Sequence, residues 1–445
     1  MRKFYLILLV MAGFIACTND GLREGAVQED TPLTQQYDPN RRSFAEAVEI
    51  AQNSIKMLDE DKAMTRGVAP VRRLNLKNGV KAFRKADTRA SEASSDNDTL
   101  FYVFNFEDNQ GFSIVSASRF TDELIAVTEL GNYDPAVPTG NPGFDTYMNM
   151  AKAYVTYKNV EGTEKNVSKT RGTNIQYPIF KPVYDTIYYQ NISPRLTVKW
   201  GQEGMMGYFC PNGKSGCSNT AAAQIMSYYK FPAGLYLTFE ERDKDYTPLN
   251  WTDMCVRVFT YFDPMDERDK QIGRLARQLG KIANSNYLNN CTETRIDSIR
   301  YALQYVGYNV GPITDYIYMI TNNVVNYDAG YPLAGILAAG KLIYMRGANS
   351  DGVGHAWVID GCKYVKALHR MMISYDGVNW SVYQELGTYR TCHNHINWGY
   401  DGICNGYFNH YVFNLNNAVS YDGYPYSLDS SYNYYDDIEY FAVWH

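Results

Sequence analysis

Gly216-Cys217-Ser218-Asn219-Thr220-Ala221-Ala222-Ala223-Gln224-Ile225-Met226-Ser227-Tyr228-Tyr229 is the stretch on which the reading of this chain turns. Ala221 to Ala223 and Met226 favour helix, and Phe231-Pro232 stops it. Upstream, Pro211-Asn212-Gly213-Lys214-Ser215-Gly216 reads as loop. Cys217 therefore stands where a glycine-bearing loop becomes a helix N-terminus. Unpaired N–H groups and the positive end of the macrodipole favour a thiolate there, lowering a cysteine pKa from about 8.5 toward the reactive range. Position alone leaves two readings level: an activated nucleophile, or a buried structural cysteine at a helix start.

Three other segments bear on the choice. Gly352-Val353-Gly354-His355-Ala356-Trp357-Val358-Ile359-Asp360-Gly361 sets a histidine between a glycine turn and an apolar run. Ala356 and Val358 alternate with Trp357 and Ile359, which predicts a buried strand starting at His355. A ring held there can still face a cleft. Asn394-His395-Ile396-Asn397-Trp398-Gly399-Tyr400-Asp401-Gly402 precedes Asn405-Gly406-Tyr407-Phe408. An amide here can accept the His355 ring N–H and fix its tautomer, and an indole can shield that bond from water. Val198-Lys199-Trp200-Gly201-Gln202 brings a glutamine whose N–H, with the Cys217 backbone N–H, can stabilise an oxyanion. Losing one such donor costs about 2.7–4 kcal/mol in the barrier. The first two segments also have a plain alternative: a structural histidine, and a Gly/Asn turn around a core tryptophan.

In this order the four pieces resemble the streptopain family of papain-like cysteine endopeptidases. The resemblance rests on Trp200-Gly201-Gln202, Cys210-Pro211, Gly216-Cys217 with Thr220-Ala221 and Ala223-Gln224-Ile225-Met226, Gly354-His355-Ala356-Trp357-Val358 with Asp360-Gly361, and Asn397-Trp398-Gly399 with Asn405-Gly406-Tyr407-Phe408. The spacing from Cys217 to His355 fits the roughly 130–150 residues of papain-like enzymes. The likeness is close over residues 196–415, and the strand pair from Phe101 to Ser116 looks like that family's inhibitory prosegment. It implies an α+β fold, with a helical half carrying Cys217 packed against a β-barrel-like half carrying His355, a cleft between them, and a small α+β prodomain in front. It also implies Cys217 as nucleophile, His355 as general base and acid, Gln202 as oxyanion donor, and a third catalytic position at Asn397 or Trp398. The chain departs from the family pattern at Gly204 to Tyr208, at Ser218-Asn219, at Tyr400-Asp401 and at Cys362. The first three departures are expected near the cleft and bear on the substrate pocket more than on the Cys–His pair.

The rest of the chain organises around this core. Arg2 and Lys3 precede an apolar run from Phe4 to Ala16, shorter than the roughly 20 residues that span a bilayer. It has the form of a secretory signal. Its end at Cys17 resembles a bacterial lipoprotein signal, in which Cys17 would carry lipid, with Phe14 where leucine is usual. The expected division is a lipoprotein signal peptide over 1–17, a tether over 18–42, an inhibitory prosegment over 43–172 and a papain-like catalytic domain over 173–445. Ser43-Phe44-Ala45-Glu46 is a capping box that opens a helix running to about Asp59. Strands are expected at Leu100–Phe104, Phe112–Ser116 and Leu124–Val127, and a helix from Phe144 to Tyr157. Glu161 to Thr173 reads as a linker, with Lys169 and Arg171 as processing candidates.

Composition narrows the function classes. Forty-two basic against 48 acidic residues leave a net charge of -6, without the basic excess or stripe of a nucleic-acid binder. Eight cysteines are too few for a disulfide scaffold of this size. Cys392, His393, His395 and Cys404 lack tetrahedral-site spacing, so neither metal nor cofactor is expected. The excess of tyrosine, 40 residues, is assigned to packing. The expected partners are protein or peptide substrates, the chain's own prosegment as intramolecular inhibitor, and a membrane only through a lipid anchor. The chain thus reads as an exported cysteine endopeptidase made as a zymogen and working through an acyl-enzyme. Its place is the cell envelope as a lipoprotein, at the outer membrane or cell surface, or the medium after processing. Two alternatives share the Cys–His pair: a catalytically weak homologue that binds peptide or host protein, and a cell-wall peptide amidase.

Overall fold

Ser43 caps helix α1 (Phe44–Met64) as its sequence predicts. The Ser43 N–H donates to Glu46 Oε2 at 2.8 Å, and the Glu46 N–H donates to Ser43 Oγ at 3.3 Å. The computed structural model describes residues 38, 40–64, 72–77, 79–84, 99–167, 179–238, 244–256, 266–316, 331–348, 354–375, 378–413 and 437–445. Asn40–His445 is one unit; of the other, Met1–Pro39, Asp38 alone is described. Cys17, Lys169 and Arg171 lie outside the described residues. Among those described, no helix is long and apolar enough to cross a membrane.

The buried Ala47, Ala51 and Leu58 of α1 lie on an antiparallel meander of β1 (Val80–Arg84), β2 (Thr99–Asn105), β3 (Phe112–Ser116) and β4 (Leu124–Thr128). The β2–β3 turn puts Asp108 and Asn109 at φ 55° and 56°, in the left-handed region that short polar residues tolerate. Gly111 follows at φ 106°, where a Cβ would fall 2.0 Å from the Thr128 carbonyl oxygen. Helix α2 (Pro142–Val167) outruns the expected end at Tyr157 and continues through the first part of the expected linker. A Cβ on Gly162 would lie 2.3 Å from the Phe120 ring, so this glycine lets the helix stay packed where sequence composition suggested a loop.

Past the meander the chain builds β5 (Ile179–Ile192), helices α3 (Cys217–Tyr229), α4 (Glu267–Ile282) and α5 (Ile296–Tyr305), and strands β6 (Leu342–Ala348), β7 (Gly354–Ser374), β8 (Ser381–Asn397), β9 (Gly406–Asn409) and β10 (Asp437–Trp444). Asp266 caps α4 through a reciprocal box with Asp269. One sheet runs β1-β2-β3-β4-β9-β8-β7-β6-β10, and β5 pairs with the later half of β7. The N-terminal strands β1 to β4 therefore join the rest of the sheet at the β4–β9 seam.

The alternation read at residues 356–359 decides the layers. Ala356 and Val358, with Leu342 and Tyr344, face the helical layer of α3, α4 and α5. Trp357 and Ile359, with Ile343 and Met345, face the core shared with α2 and β2–β4. Each fully buried Val, Leu, Ile or Met among them contributes about 1.5–3 kcal/mol. Tyr133, Tyr147, Tyr316, Tyr331, Tyr344 and Tyr407 are among the buried residues, in keeping with a packing role for tyrosine. The architecture is mixed α and β, with helices on both faces of the sheet: α3, α4 and α5 on one, and the short helix Pro332–Ala338 with α2 on the other.

Candidate active site

Cys217 is the first residue of α3, and Gly216 before it adopts φ 84° and ψ 151°. A Cβ there would strike the Thr292 carbonyl oxygen at 2.7 Å, so glycine alone admits this entry into the helix. The Thr220 N–H closes the first turn on the Gly216 carbonyl at 3.0 Å. The following residues of α3 are buried, whereas Cys217 is partly exposed. Burial pushes its thiol up, but the hydrogen bond and charge of His355, helped by the backbone of Ala356 and Ser218, outweigh it. The thiol is held below the ordinary cysteine range, as a nucleophile requires.

His355 is buried at the start of β7, paired with Gly347 on β6. Its Nε2 lies 2.8 Å from the Trp398 carbonyl oxygen. A carbonyl can only accept, so the proton sits on Nε2 and Nδ1 is left free toward the thiol. The group that orients His355 is thus a backbone carbonyl, not an amide side chain. Asn397 is occupied elsewhere: its Nδ2 donates to the Val198 carbonyl at 3.1 Å and its Oδ1 accepts the Gly399 N–H at 3.0 Å. The Trp398 indole lies beside the histidine, with ring centroids 6.4 Å apart, and packs on Trp357 at 5.3 Å. Sequence reasoning weighed two side chains for this position; a main-chain acceptor leaves no signature in residue identity.

Gln202 joins the site through its backbone. Its carbonyl accepts the Ser215 N–H at 2.8 Å and the Ser215 hydroxyl at 3.1 Å, two residues before Cys217. Of the departures from the family pattern, Ser218 and Asn219 turn away from the cleft. Ser218 Oγ donates to the Thr294 carbonyl at 3.3 Å, and Asn219 Nδ2 donates to the Ser215 carbonyl at 2.7 Å. Asp401 lies against Gly201, where a Cβ would fall 2.5 Å from its carboxylate. Burial raises the Asp401 carboxyl pKa, against the hydrogen bond from the Gly201 backbone.

A buried ion pair missed by sequence reasoning backs the site. Asp360 Oδ1 lies 2.6 Å from His395 Nδ1, and Asp360 Oδ2 accepts the N–H groups of Arg195 and Leu196 at 3.0 and 2.8 Å. One carboxylate thereby ties β7, β8 and the segment leading to Gln202. The Asp-Gly after the His355 strand was part of the quoted motif, but its partner lies on another strand. Cys392, His393, His395 and Cys404 take separate partners. His393 Nε2 contacts the Leu124 carbonyl at 2.9 Å and Cys392 Sγ contacts Asn394 Oδ1 at 3.7 Å. Among the described residues no group of His, Cys, Asp and Glu is placed to hold a metal ion.

The start of α2 packs on His355 and Trp398. Asn141 precedes α2, with Oδ1 accepting the Phe144 N–H at 3.2 Å and Nδ2 donating to the Ile403 carbonyl at 3.0 Å. In the next turn a Cβ on Gly143 would fall 2.5 Å from both His355 Cδ2 and Trp398 Cε3. Phe144 and Tyr147 pack edge-on against Phe408 at 6.2 and 4.9 Å.

The chain is similar to known proteins in two segments. The profile of the Peptidase C10 family matches residues 187–408, and that of the Spi protease inhibitor matches residues 43–155. Streptopain of Streptococcus pyogenes is 24% identical over 344 residues, covering 69% of this chain and 73% of its own. Thiol protease/hemagglutinin PrtT of Porphyromonas gingivalis is 22% identical over 342 residues, covering 71% of this chain and 34% of its own. Among solved structures, a fragment of Prevotella intermedia prointerpain A aligns with a TM-score of 0.46 at 18% identity, over 82% of this chain and 98% of its own. Active interpain A cysteine protease aligns with a TM-score of 0.34 at 18% identity, over 57% and 94%.

Proposed function

The chain belongs to the peptidase C10 family of cysteine peptidases, and we propose that it is an exported endopeptidase made as a zymogen, with Cys217 as nucleophile and His355 as general base and acid. The observation that carries this reading is the Cys217 thiol held below its ordinary range by His355, with His355 anchored on the Trp398 carbonyl and Gly143 of the prosegment against His355 and Trp398. The thiolate Sγ attacks the carbonyl carbon of the scissile bond. The oxyanion takes hydrogen bonds from the Cys217 N–H and the Gln202 side chain. His355 passes its Nδ1 proton to the leaving amine, leaving an acyl-enzyme. His355 then takes a proton from water, whose oxygen displaces Sγ and releases the carboxylic acid product. In the zymogen the first turn of α2 occupies the space over His355 that a substrate needs. Export through the Phe4–Ala16 segment and lipid attachment at Cys17 complete the reading, the lipid being its only link to a membrane.

Two expected results test it. Gly143→Ala adds a methyl where two packed rings already stand, so overpacking costs about 1–3 kcal/mol of prosegment docking. That weakens inhibition roughly 5- to 150-fold. The full-length variant is expected to shorten the lag before self-activation, with the matured enzyme unchanged. A lag equal to wild type would remove α2 from the inhibitory contact. Self-incubation followed by mass spectrometry should show a new N-terminus near Lys169 or Arg171. A Lys169→Ala/Arg171→Ala double variant that matures at the wild-type rate and bond would rule out that processing site.

A further inference from the structure

Four residues past the turn that holds His355, strand β9 forms the seam of the sheet. On one side His393, Asn394, His395 and Ile396 of β8 pair with Asn409, Phe408, Tyr407 and Gly406. On the other, Thr128, Val127 and Ala126 of β4 pair with Gly406, Tyr407 and Phe408. The ladder extends one residue further, the Glu129 N–H donating to the Asn405 carbonyl at 2.9 Å. All four residues of β9 are buried, and one of its two edges is covered by the prosegment. When the prosegment leaves, that edge presents unpaired N–H and C=O groups, and such groups seek a strand.

We propose that this uncovered edge of β9 is a strand-addition site that captures an extended segment of the protein substrate, apolar and followed by an acidic residue. The proposal rests on the endopeptidase reading above. Three observations support it. First, the edge is built for a close neighbour: a Cβ on Gly406 would fall 2.2 Å from the Val127 carbonyl oxygen and 2.7 Å from Thr128 Cα. Second, it adjoins the catalytic turn. Asn405 Oδ1 accepts the Trp398 N–H at 3.0 Å, and Phe408 packs on the Trp398 ring at 5.2 Å. A segment paired there leaves the same substrate chain within reach of the cleft. Third, the charges are complementary. Glu129, just past the apolar Leu124-Ile125-Ala126-Val127 run, lies 3.6 Å from His395 Nε2 and 3.8 Å from Lys199 Nζ. A substrate acid at that point meets the same two cations. Backbone pairing gives the affinity, and flanking pockets and charge select the segment.

The test uses the enzyme released from the full chain by its own maturation, with a synthetic peptide of residues 122–131 as probe. The peptide is expected to inhibit cleavage of a long, unfolded protein substrate at least 10-fold more strongly than cleavage of a short chromogenic peptide. Because the Glu129 N–H points to β9, so does that of Val127, whereas those of Ala126 and Thr128 point the other way. N-methylation at Val127 and Glu129 should abolish the competition, and N-methylation at Ala126 and Thr128 should spare it. A Glu129→Gln peptide should compete several-fold less. Equal inhibition of both substrates would place the peptide in the cleft and overturn the proposal. So would no inhibition, or equal behaviour of the two N-methylated forms. Wild-type enzyme inert toward the short peptide would instead sink the endopeptidase reading, a separate result.

Discussion

Cys217→Ala is expected to lower cleavage of a casein-type substrate by at least about 10³-fold, because the nucleophile and its base act as one unit and neither compensates for the other. The full chain should also fail to mature, remaining at its unprocessed length after incubation. Far-ultraviolet dichroism should not change, since a partly exposed sulfur is replaced by a hydrogen at a helix start. Alkylation near pH 6 provides an independent readout. The Cys217 thiol is held below the ordinary range by His355, whereas burial pushes the Cys210 thiol up to about 11 and also raises Cys255. Mass spectrometry of the matured protein should therefore find the alkyl group on Cys217 first. Equal proteolysis by the wild type and the variant would falsify the role of Cys217. Turnover of cell-wall muropeptides without cleavage of protein would select the amidase alternative instead.

The second large effect is on stability. Asp360→Ala is expected to cost about 3–5 kcal/mol, because removing one partner of a buried ion pair leaves the other charge uncompensated. The loss is a large share of the 5–15 kcal/mol that holds a typical domain together. The Arg195 and Leu196 N–H groups lose their acceptor in the same step, so the segment reaching Gln202 loosens too. A urea titration should show the midpoint fall. Asp360→Asn, which keeps an acceptor oxygen but no charge, should fall less. The pair also sets a pH dependence. Burial opposes the charge on His395, but the charge and hydrogen bond of Asp360, with those of Glu129, outweigh it and raise its pKa from 6.5 to about 10. The folded value lies above the unfolded one, so the stabilisation is fully present below about pH 6.5 and is lost as pH rises through about 10. Wild-type stability should therefore decline over that window, and Asp360→Asn should decline less steeply. Parallel slopes for the two proteins would show that the pair does not carry this dependence.

Much of the site is legible in the sequence because its parts are local. A cysteine after a glycine and before an alanine run is a helix start, and the structure places Cys217 first in α3. The alternation around Trp357 and Ile359 marks a strand with two buried faces, which β7 is. The capping box at Ser43 and the turn at Asp108 to Gly111 are likewise choices of neighbouring residues. The length of α2 was not legible, because Gly162 reads as a breaker until Phe120 is seen lying against it.

By itself the sequence indicated α1, the start of α2, β2 to β4, α3, the start of β7 and the order of the candidate segments, since propensity, period and residue type act over a few positions. Only the tertiary structure decided what holds His355, because the Trp398 carbonyl is a group every residue possesses. It alone decided that Asn397 reaches the Val198 carbonyl, that Asp360 and His395 meet across two strands, that Gly143 lies on His355 and Trp398, and that β4 pairs with β9. Those contacts join segments far apart in the chain. They depend on the packing that brings the segments together, and no local preference encodes it.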